Sequence, residues 1–315
     1  MSLNHPTLVT VLIVTWNRKE DVLETVRDVY QQPYKDIEIV VVDNGSVDGT
    51  VDALHQTYPS VNVVELDRNM GVSVGRNAGI AAATGDIIFC LDSDASPATE
   101  TISNIVCKFK SDPLIGVINS KIVDAQTRQI GSAGWVYSAY DLAEQDSEFL
   151  SYSFSEGGAA IRREVFDKVG LFWERLFFGY EGFEFSLRVL DAGYHILYYP
   201  DSLVFHRATG RSRIGGGERD KILFISCLLI YILRFPWWLI AIFLPLKTGA
   251  TFLRASRRGY FVKILRGWMD FLWQTPSVMK ERKPIRNETA LHYLKLQRQH
   301  GSLRWNLVSW FKHKS

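Results

Sequence analysis

The chain has 315 residues, 47% of them hydrophobic and 22% charged, which excludes a disordered or fibrous protein and leaves room for one large domain plus an appendage. Its formal net charge is only +2, but from Lys247 onward 15 Lys and Arg face three acids, Asp270, Glu281 and Glu288, whereas before Lys247 there are 21 basic and 31 acidic residues. A basic tail on an acidic body points to an anionic surface as partner, membrane or nucleic acid.

Residues 1–7 are short and polar and do not read as a secretory signal. The run 8–14 (LVTVLIV) has the β-branched, uninterrupted apolar character of a strand buried on both faces. A helix is predicted over about 19–32, closed by Pro33, then a strand over 37–42, a short helix over 51–58 and a strand over 61–66. A small-residue helix over 72–83 and a strand over 87–91 complete the series. Strands alternating with helices at this spacing predict an α/β fold, Rossmann-like, with a mostly parallel sheet that binds ligands outside the carboxyl ends of its strands. Three polar clusters fall at such ends: Thr15-Trp16-Asn17, Asp43-Asn44-Gly45-Ser46 and Asp92-Ser93-Asp94.

Asp92 and Asp94, one residue apart at the mouth of a buried strand, can share one hard divalent cation such as Mg²⁺ or Mn²⁺. Such an ion bridges diphosphate oxygens and neutralises a leaving group. Alone, the motif is weak evidence and reads more readily as a solvated turn that caps the next helix. Cys90, Cys107 and Cys227 are odd in number with no CxxC spacing, so no disulfide framework or zinc site is expected and a reducing compartment is favoured. From 96 to about 204 the regular alternation gives way to a mixed, Gly- and aromatic-rich half.

The ordered motifs VTWNR (14–18), DNGSVDGT (43–50), NMGVSVGRNAGI (69–80) and LDSDA (91–95), followed by the segment 157–206 that ends in LVFH, resemble the family 2 glycosyltransferases with the A-type fold, of the rhamnosyltransferase-like, surface-polysaccharide kind. The resemblance spans residues 8–206. It implies a catalytic domain over 1–220, with a nucleotide-sugar half (1–95) and an acceptor half (96–220), and a basic, helical, membrane-associating region over 221–315. It further implies metal-dependent transfer, with inversion, from a UDP- or dTDP-sugar to a lipid-linked or polysaccharide acceptor at the cytoplasmic face of a membrane.

Residue by residue, the resemblance assigns Thr15, Asn17 and Asp43 to the nucleoside, and Arg76 and Asn77 to the region of base and diphosphate. Asp92 falls to the ribose or metal-bound water, Asp94 to the metal, and His206 to the metal as a further ligand. Asp43 has a second reading as an Asx-turn holding Asn44-Gly45, and His206 one as a buried, hydrogen-bonded histidine.

Two departures from the family pattern matter. Where an acidic pair is usual, and its Asp acts as general base, this chain has Glu181-Gly182 followed by Phe183-Glu184. A base is worth roughly 10²–10⁴-fold in rate, and glycine cannot supply it. Glu181 and Glu184, three apart on one helix face, are the candidates, Glu181 as base and Glu184 as a partner of the acceptor or of Arg188. The bland reading of Glu181 is a helix N-terminal acid. In Gly170-Leu171-Phe172-Trp173-Glu174, Leu171 and Trp173 replace a glycine and an acid, predicting a more apolar acceptor pocket; Trp135, Tyr137 and Tyr140 read equally as aromatic surface of that pocket or as core.

Arg207, Arg211 and Arg213 precede Gly215-Gly216-Gly217, as a cationic loop that closes on the diphosphate or as a basic linker. The apolar stretch 222–246 is long enough to span a bilayer, but Arg234 and Pro236 interrupt it, and a mid-membrane Arg costs at least about 2.5–3.5 kcal/mol. Interfacial docking hinged at Arg234-Phe235-Pro236, with Trp237 and Trp238 at headgroup level, is preferred to a span or a core helix. No nucleic-acid motif accompanies the basic tail, so anionic lipid is the expected partner. A sugar-phosphate nucleotidyltransferase would open with a Gly-rich, basic loop after its first strand, and a dehydrogenase needs G-x-G-x-x-G; neither is present. The remaining alternative, prompted by Gly182, is a degenerate protein that binds nucleotide-sugar without transferring it.

Overall fold

The computed structural model describes residues 6–131, 134–137, 139–207 and 216–300. The predicted elements of the first half are all formed: β1 (Val9–Thr15), α1 (Lys19–Tyr30), β2 (Ile37–Asp43), α2 (Thr50–Thr57), β3 (Asn62–Glu65), α3 (Val72–Ala82) and β4 (Ile87–Asp92). Then come β5 (Ala95–Pro97), α4 (Thr101–Ser111), β6 (Ile115–Asp124), β7 (Phe149–Ser151), β8 (Gly158–Arg162), α5 (Arg163–Val169), α6 (Glu181–Asp191) and β9 (His195–His206). Among the described residues these strands build one sheet in the order β3-β2-β1-β4-β8-β6-β9-β5, with β7 paired to β9. The half from β3 to β4 is parallel, and beyond it β8 runs antiparallel to both β4 and β6.

The pleat sorts side chains to two apolar layers, because alternate residues face opposite sides. Val9, Val11 and Ile13 of β1 join Val22 and Val26 of α1 and Ile102 and Ile105 of α4, whereas Leu12, with Val40 and Val42 of β2, faces α3. Helix α3 lies close to the sheet because two of its inward residues are glycines. A Cβ on Gly75 would stand 2.8 Å from Val14 Cγ1, and one on Gly79 would collide with Leu12.

Four helices follow: α7 (Gly216–Arg234), α8 (Trp237–Arg257), α9 (Phe261–Glu281) and α10 (Asn287–Gln299). The apolar stretch 222–246 is therefore two helices, broken at Phe235-Pro236 as the sequence suggests, but its first half is not at a membrane surface. Phe224, Leu228, Ile230 and Leu233 of α7 are buried in the same apolar cluster as α6 and β9, which corrects the interfacial reading for this half. A helix that is apolar all round belongs inside, and composition alone does not separate core from bilayer. Among the described residues only α8 is long and apolar enough to cross a membrane, and little of it is buried. Its Trp237, Ile242 and Leu246 are exposed, as are Val262, Met269 and Trp273 of the adjoining α9, the last at 85%.

Arg234 is likewise no intramembrane charge. It closes α7 and donates from Nε to Glu184 Oε1 at 2.6 Å, while Arg188 Nη2 donates to Glu184 Oε2 at 2.6 Å. The Glu184 side chain is wholly buried between the two guanidiniums. Breaking a buried pair from one side leaves a charge uncompensated and costs roughly 3–5 kcal/mol. Glu184→Ala should therefore lower the unfolding free energy from urea titration by that order, and a loss below about 1 kcal/mol would show that the pairs do not hold α6 to α7.

Candidate active site

The parallel register sets the site. Thr15 pairs with Asp43, and Val14 with Asp92, so β1, β2 and β4 end level with one another. At that edge Asp43 Oδ2 accepts the Ser46 N–H at 2.8 Å, forming the Asx-type turn. Among the described residues its Oδ1 is buried without a hydrogen-bond partner, as are Thr15 Oγ1 and Arg76 Nη1. Buried polar atoms are nearly always satisfied, so orphaned acceptors and donors on one edge mark the place of a polar ligand.

Asn17 and Asn77 each make structural hydrogen bonds at this edge. Asn17 adopts φ +53°, its Oδ1 accepts the Val47 N–H at 2.8 Å and its N–H donates to Ser46 Oγ at 2.8 Å, so it shapes the 43–50 loop. The Asn77 Nδ2 donates to Phe172 O at 2.9 Å and to Glu174 Oε1 at 3.1 Å, and its Oδ1 accepts the Phe172 N–H at 3.0 Å. With both ends of its amide engaged and the residue buried, it joins α3 to the 170–174 turn. Asn44, to which the sequence reading gave no role, bonds Asn69, Met70 and Gly71 and so ties the β2 end to the start of α3.

Asp92, Asp94 and His206 come together, their candidate ligand atoms all within 4.8 Å of one another. The closing strand explains this: β5 pairs with the end of β9 so that Ala95 opposes His206, and the Arg207 N–H donates to Asp94 O at 2.8 Å. His206 Nε2 stands 3.3 Å from Asp94 Oδ1, and Arg18 Nη1 bonds Asp94 Oδ2 at 2.5 Å. Burial works to raise the Asp94 carboxyl, but the His206 ring and the Arg18 guanidinium outweigh it and hold it at about 2. Arg18, the residue after Asn17, was within a recognised motif but had no role assigned. Two carboxylates and one imidazole are a donor set suited to a hard-to-borderline divalent ion, so the residues present fit a metal of the Mn²⁺ or Mg²⁺ type. Arg207 is turned away from this cluster, bonding Asp28 and Thr25 of α1, and Arg211 and Arg213 lie outside the described residues.

The acceptor side approaches through Gly157, where a Cβ would collide with Asp92 Oδ2, so only glycine lets this backbone touch the acid. Arg76 Nη2 lies 3.9 Å from Asp92 Oδ1. Glu181, the first residue of α6, is buried, and its Oε1 accepts the Gly179 N–H at 2.7 Å. Before it, Gly179 and Tyr180 both hold left-handed backbone, at φ +82° and +71°. For Tyr180 that conformation is strained, a feature that persists where surrounding structure over-determines it. Glu184 does not join Glu181 at the cleft. Its engagement by Arg188 and Arg234 corrects its candidacy as a reacting carboxylate, and of the two readings it was given, the Arg188 partnership is the one formed.

Trp135 and Tyr137 are buried and pack edge-on with Tyr198, so they serve the core, and the side chain of Tyr140 lies outside the described residues. Trp173 faces the C-terminal helices, donating from Nε1 to Glu281 at 3.0 Å, and Leu171 is 44% exposed, so neither residue builds an apolar pocket in the core of the site.

Burial and the neighbouring Glu156 raise Glu181 to about 7, against the pull of Arg76. A group whose folded pKa is raised contributes stability fully present below its unfolded value, 4.5, and lost as pH rises through about 7. In metal-free protein the urea midpoint should fall between pH 4.5 and 7.5 (an interval set by those values), and Glu181→Gln should flatten that fall. An unchanged slope in the variant would remove Glu181 as its source.

The sequence model of "Glycosyl transferase family 2" matches residues 10–170, about half of the chain. The chain is 25% identical to a glycosyltransferase, AglE, of Haloferax volcanii over 280 residues, which cover 82% of this chain and 90% of that protein. It is 30% identical to an uncharacterized glycosyltransferase of Nostoc over 171 residues, 51% of this chain and about half (52%) of that relative. Its fold is similar to that of a mannosyltransferase from Pyrobaculum calidifontis solved with GDP-Man and Mn²⁺, with a TM-score of 0.56, 21% identity and coverage of 99% and 82% of the two chains. With its motifs at one sheet edge and its first half matched by the family model, the chain belongs to the family 2 glycosyltransferases.

Proposed function

We propose that this enzyme transfers a sugar, with inversion, from a UDP- or dTDP-sugar to a hydroxyl of a lipid-linked or polysaccharide acceptor, in a divalent-metal-dependent reaction. The observation that carries this reading is the convergence of Asp92, Asp94 and His206 beside the orphaned polar atoms of Thr15, Asp43 and Arg76. Asp43 Oδ1 is an acceptor suited to the imide N–H of uracil or thymine, and Thr15 Oγ1 adds a second polar contact. Arg76, the cation nearest Asp92 on the acceptor side, is placed to meet diphosphate charge. A Mn²⁺ or Mg²⁺ ion held by Asp92, Asp94 and His206 would supply charge neutralisation of the departing diphosphate. The imidazole donor favours Mn²⁺ of the two. The acceptor's proton goes to a carboxylate of the neighbouring pair Glu181 and Glu156.

Nucleoside diphosphate release from a panel of UDP-, dTDP- and GDP-sugars tests the reading. Release should require Mn²⁺ or Mg²⁺, stop in EDTA and resume when metal is restored. Asp94→Ala and His206→Ala should each lower it by roughly two orders of magnitude or more while circular dichroism stays native. Full activity in chelator would sink the metal assignment.

The second half of the proposal concerns place. The exposed apolar face of α8 and α9, with Trp237 and Trp273, lies in the basic end of the chain and is read as docking on an anionic membrane surface, on its cytoplasmic side. The tryptophan rings supply apolar insertion that salt does not screen, and the lysines and arginines supply attraction that it does. Vesicles with anionic lipid should retain the protein, and 0.5 M salt, an ionic strength at which the Debye length is roughly 4 Å, should weaken retention only in part. Trp237→Ser with Trp273→Ser should then abolish it. Equal retention of this double variant would show that the face does not insert.

A further inference from the structure

We propose that Glu156 is the catalytic base of this enzyme and takes the place that an acid at position 182 would otherwise hold. The proposal rests on the glycosyl-transfer reading above and names the carboxylate within it. A Cβ built on Gly182 would stand 2.5 Å from Glu156 Oε1 and 2.7 Å from Phe154 O. The volume into which a side chain at 182 would grow is thus already filled by the Glu156 carboxylate. The Gly182 N–H donates to Glu156 Oε1, fixing that oxygen at the first turn of α6. Among the described residues Oε2 takes no hydrogen bond, which leaves it available to an acceptor hydroxyl.

The surroundings of Glu156 point the same way. The next residue, Gly157, brings the backbone against Asp92, so Glu156 lies one residue from the contact with the Asp92, Asp94 and His206 cluster. On its other side Glu156 lines a cavity of about 300 Å³, walled by Tyr152, Phe154, Tyr180, Tyr231 and Lys247. That volume lies at the lower end of the roughly 300–1,000 Å³ of small-molecule sites, and aromatic faces with a few polar groups suit a sugar. Glu156 is the residue common to the cavity and to the neighbourhood of Asp92. Glu181 differs. It is buried, its Oε1 is held by the Gly179 N–H, and it does not line the cavity.

In the step itself the acceptor O–H gives its proton to Glu156 as its oxygen bonds to the anomeric carbon. The bond from that carbon to the diphosphate oxygen breaks, and its electron pair leaves with the nucleoside diphosphate. Water as acceptor follows the same balance and yields free sugar, so donor hydrolysis reports on the base without a known acceptor.

The test measures nucleoside diphosphate release by the full-length protein with Mn²⁺ and the same panel of UDP-, dTDP- and GDP-sugars. Mn²⁺-dependent thermal stabilisation by the free nucleoside diphosphates reads donor-site integrity separately. Glu156→Gln and Glu156→Ala should each lower release by roughly 10²-fold or more with thermal stabilisation unchanged. Glu181→Gln should cost less. The double variant Glu156→Ala with Gly182→Asp returns a carboxylate to the vacated volume and should recover at least tenfold over Glu156→Ala. Release by Glu156→Gln within threefold of wild type would overturn the assignment, as would a double variant that binds nucleotide yet stays as inactive as Glu156→Ala. If wild-type protein releases nothing from any donor, it is the glycosyl-transfer reading that fails, and this assignment with it.

Discussion

Level strand ends are the constraint on which the rest of this molecule depends. Because β1 registers Thr15 against Asp43 and Val14 against Asp92, three strands distant in sequence present their terminal polar residues on one line. The hydrogen-bond ladder of a parallel sheet fixes that line at the backbone, before any side chain interacts. Helix α3 adds to it because Gly75 and Gly79 let it lie against the sheet, which carries Arg76 towards Asp92. On the other side β9 runs on for 12 residues so that His206 arrives opposite Ala95, one residue from Asp94.

Such an edge concentrates charge. Asp94 is held ionised by His206 and Arg18, so one carboxylate is ready for a cation at any pH at which the protein is folded and above about 2. Glu181 is the opposite case, a buried acid beside another acid, for which the proton is the cheaper partner up to about 7. Arg76 lies among Asp92, Glu156 and Glu181 and draws on all of them. Carboxylates at one site thus hold their protons with different strength, the condition under which one binds metal while others handle protons.

The parallel half was legible in the sequence because each strand is a short apolar run ending in a polar cluster, and each helix carries its own stop at Pro33 or Gly85. The approach of Asp92, Asp94 and His206 was legible too, since the two acids share one motif at a strand end and His206 closes another. Glu156 was not, because its meaning depends on Gly182, 26 residues away and across a turn, and nothing local distinguishes it from a surface glutamate. The bonds of Asn77 were not legible either, because a motif assigns a residue type to a place, whereas its amide satisfies two backbone groups of a turn 95 residues on. The 222–246 stretch failed for a third reason: hydropathy measures avoidance of water and does not say whether protein or lipid replaces it.

That last misreading changes how the C-terminal helices relate to the chemistry. Helix α6 carries Glu181 and Gly182 in its first turn and Glu184 one step further, and Glu184 grips Arg234, the last residue of α7. After Phe235, Pro236 starts α8, whose outer face is apolar and whose Lys247 donates back to the Tyr180 hydroxyl at 3.2 Å. Tyr180 in turn is the strained residue that sets α6 in place. The apolar outer face and the carboxylates are therefore linked by two short polar paths, one at each end of the first turns of α6. Deleting the chain beyond 220 would not free a catalytic unit from an anchor; it would strip Arg234 from a buried glutamate and uncover the face of α6 that α7 now buries. Changes confined to the outer surface of α8 and α9, where side chains such as Trp273 are exposed, would leave the buried pairing of Glu184 with Arg188 and Arg234 intact.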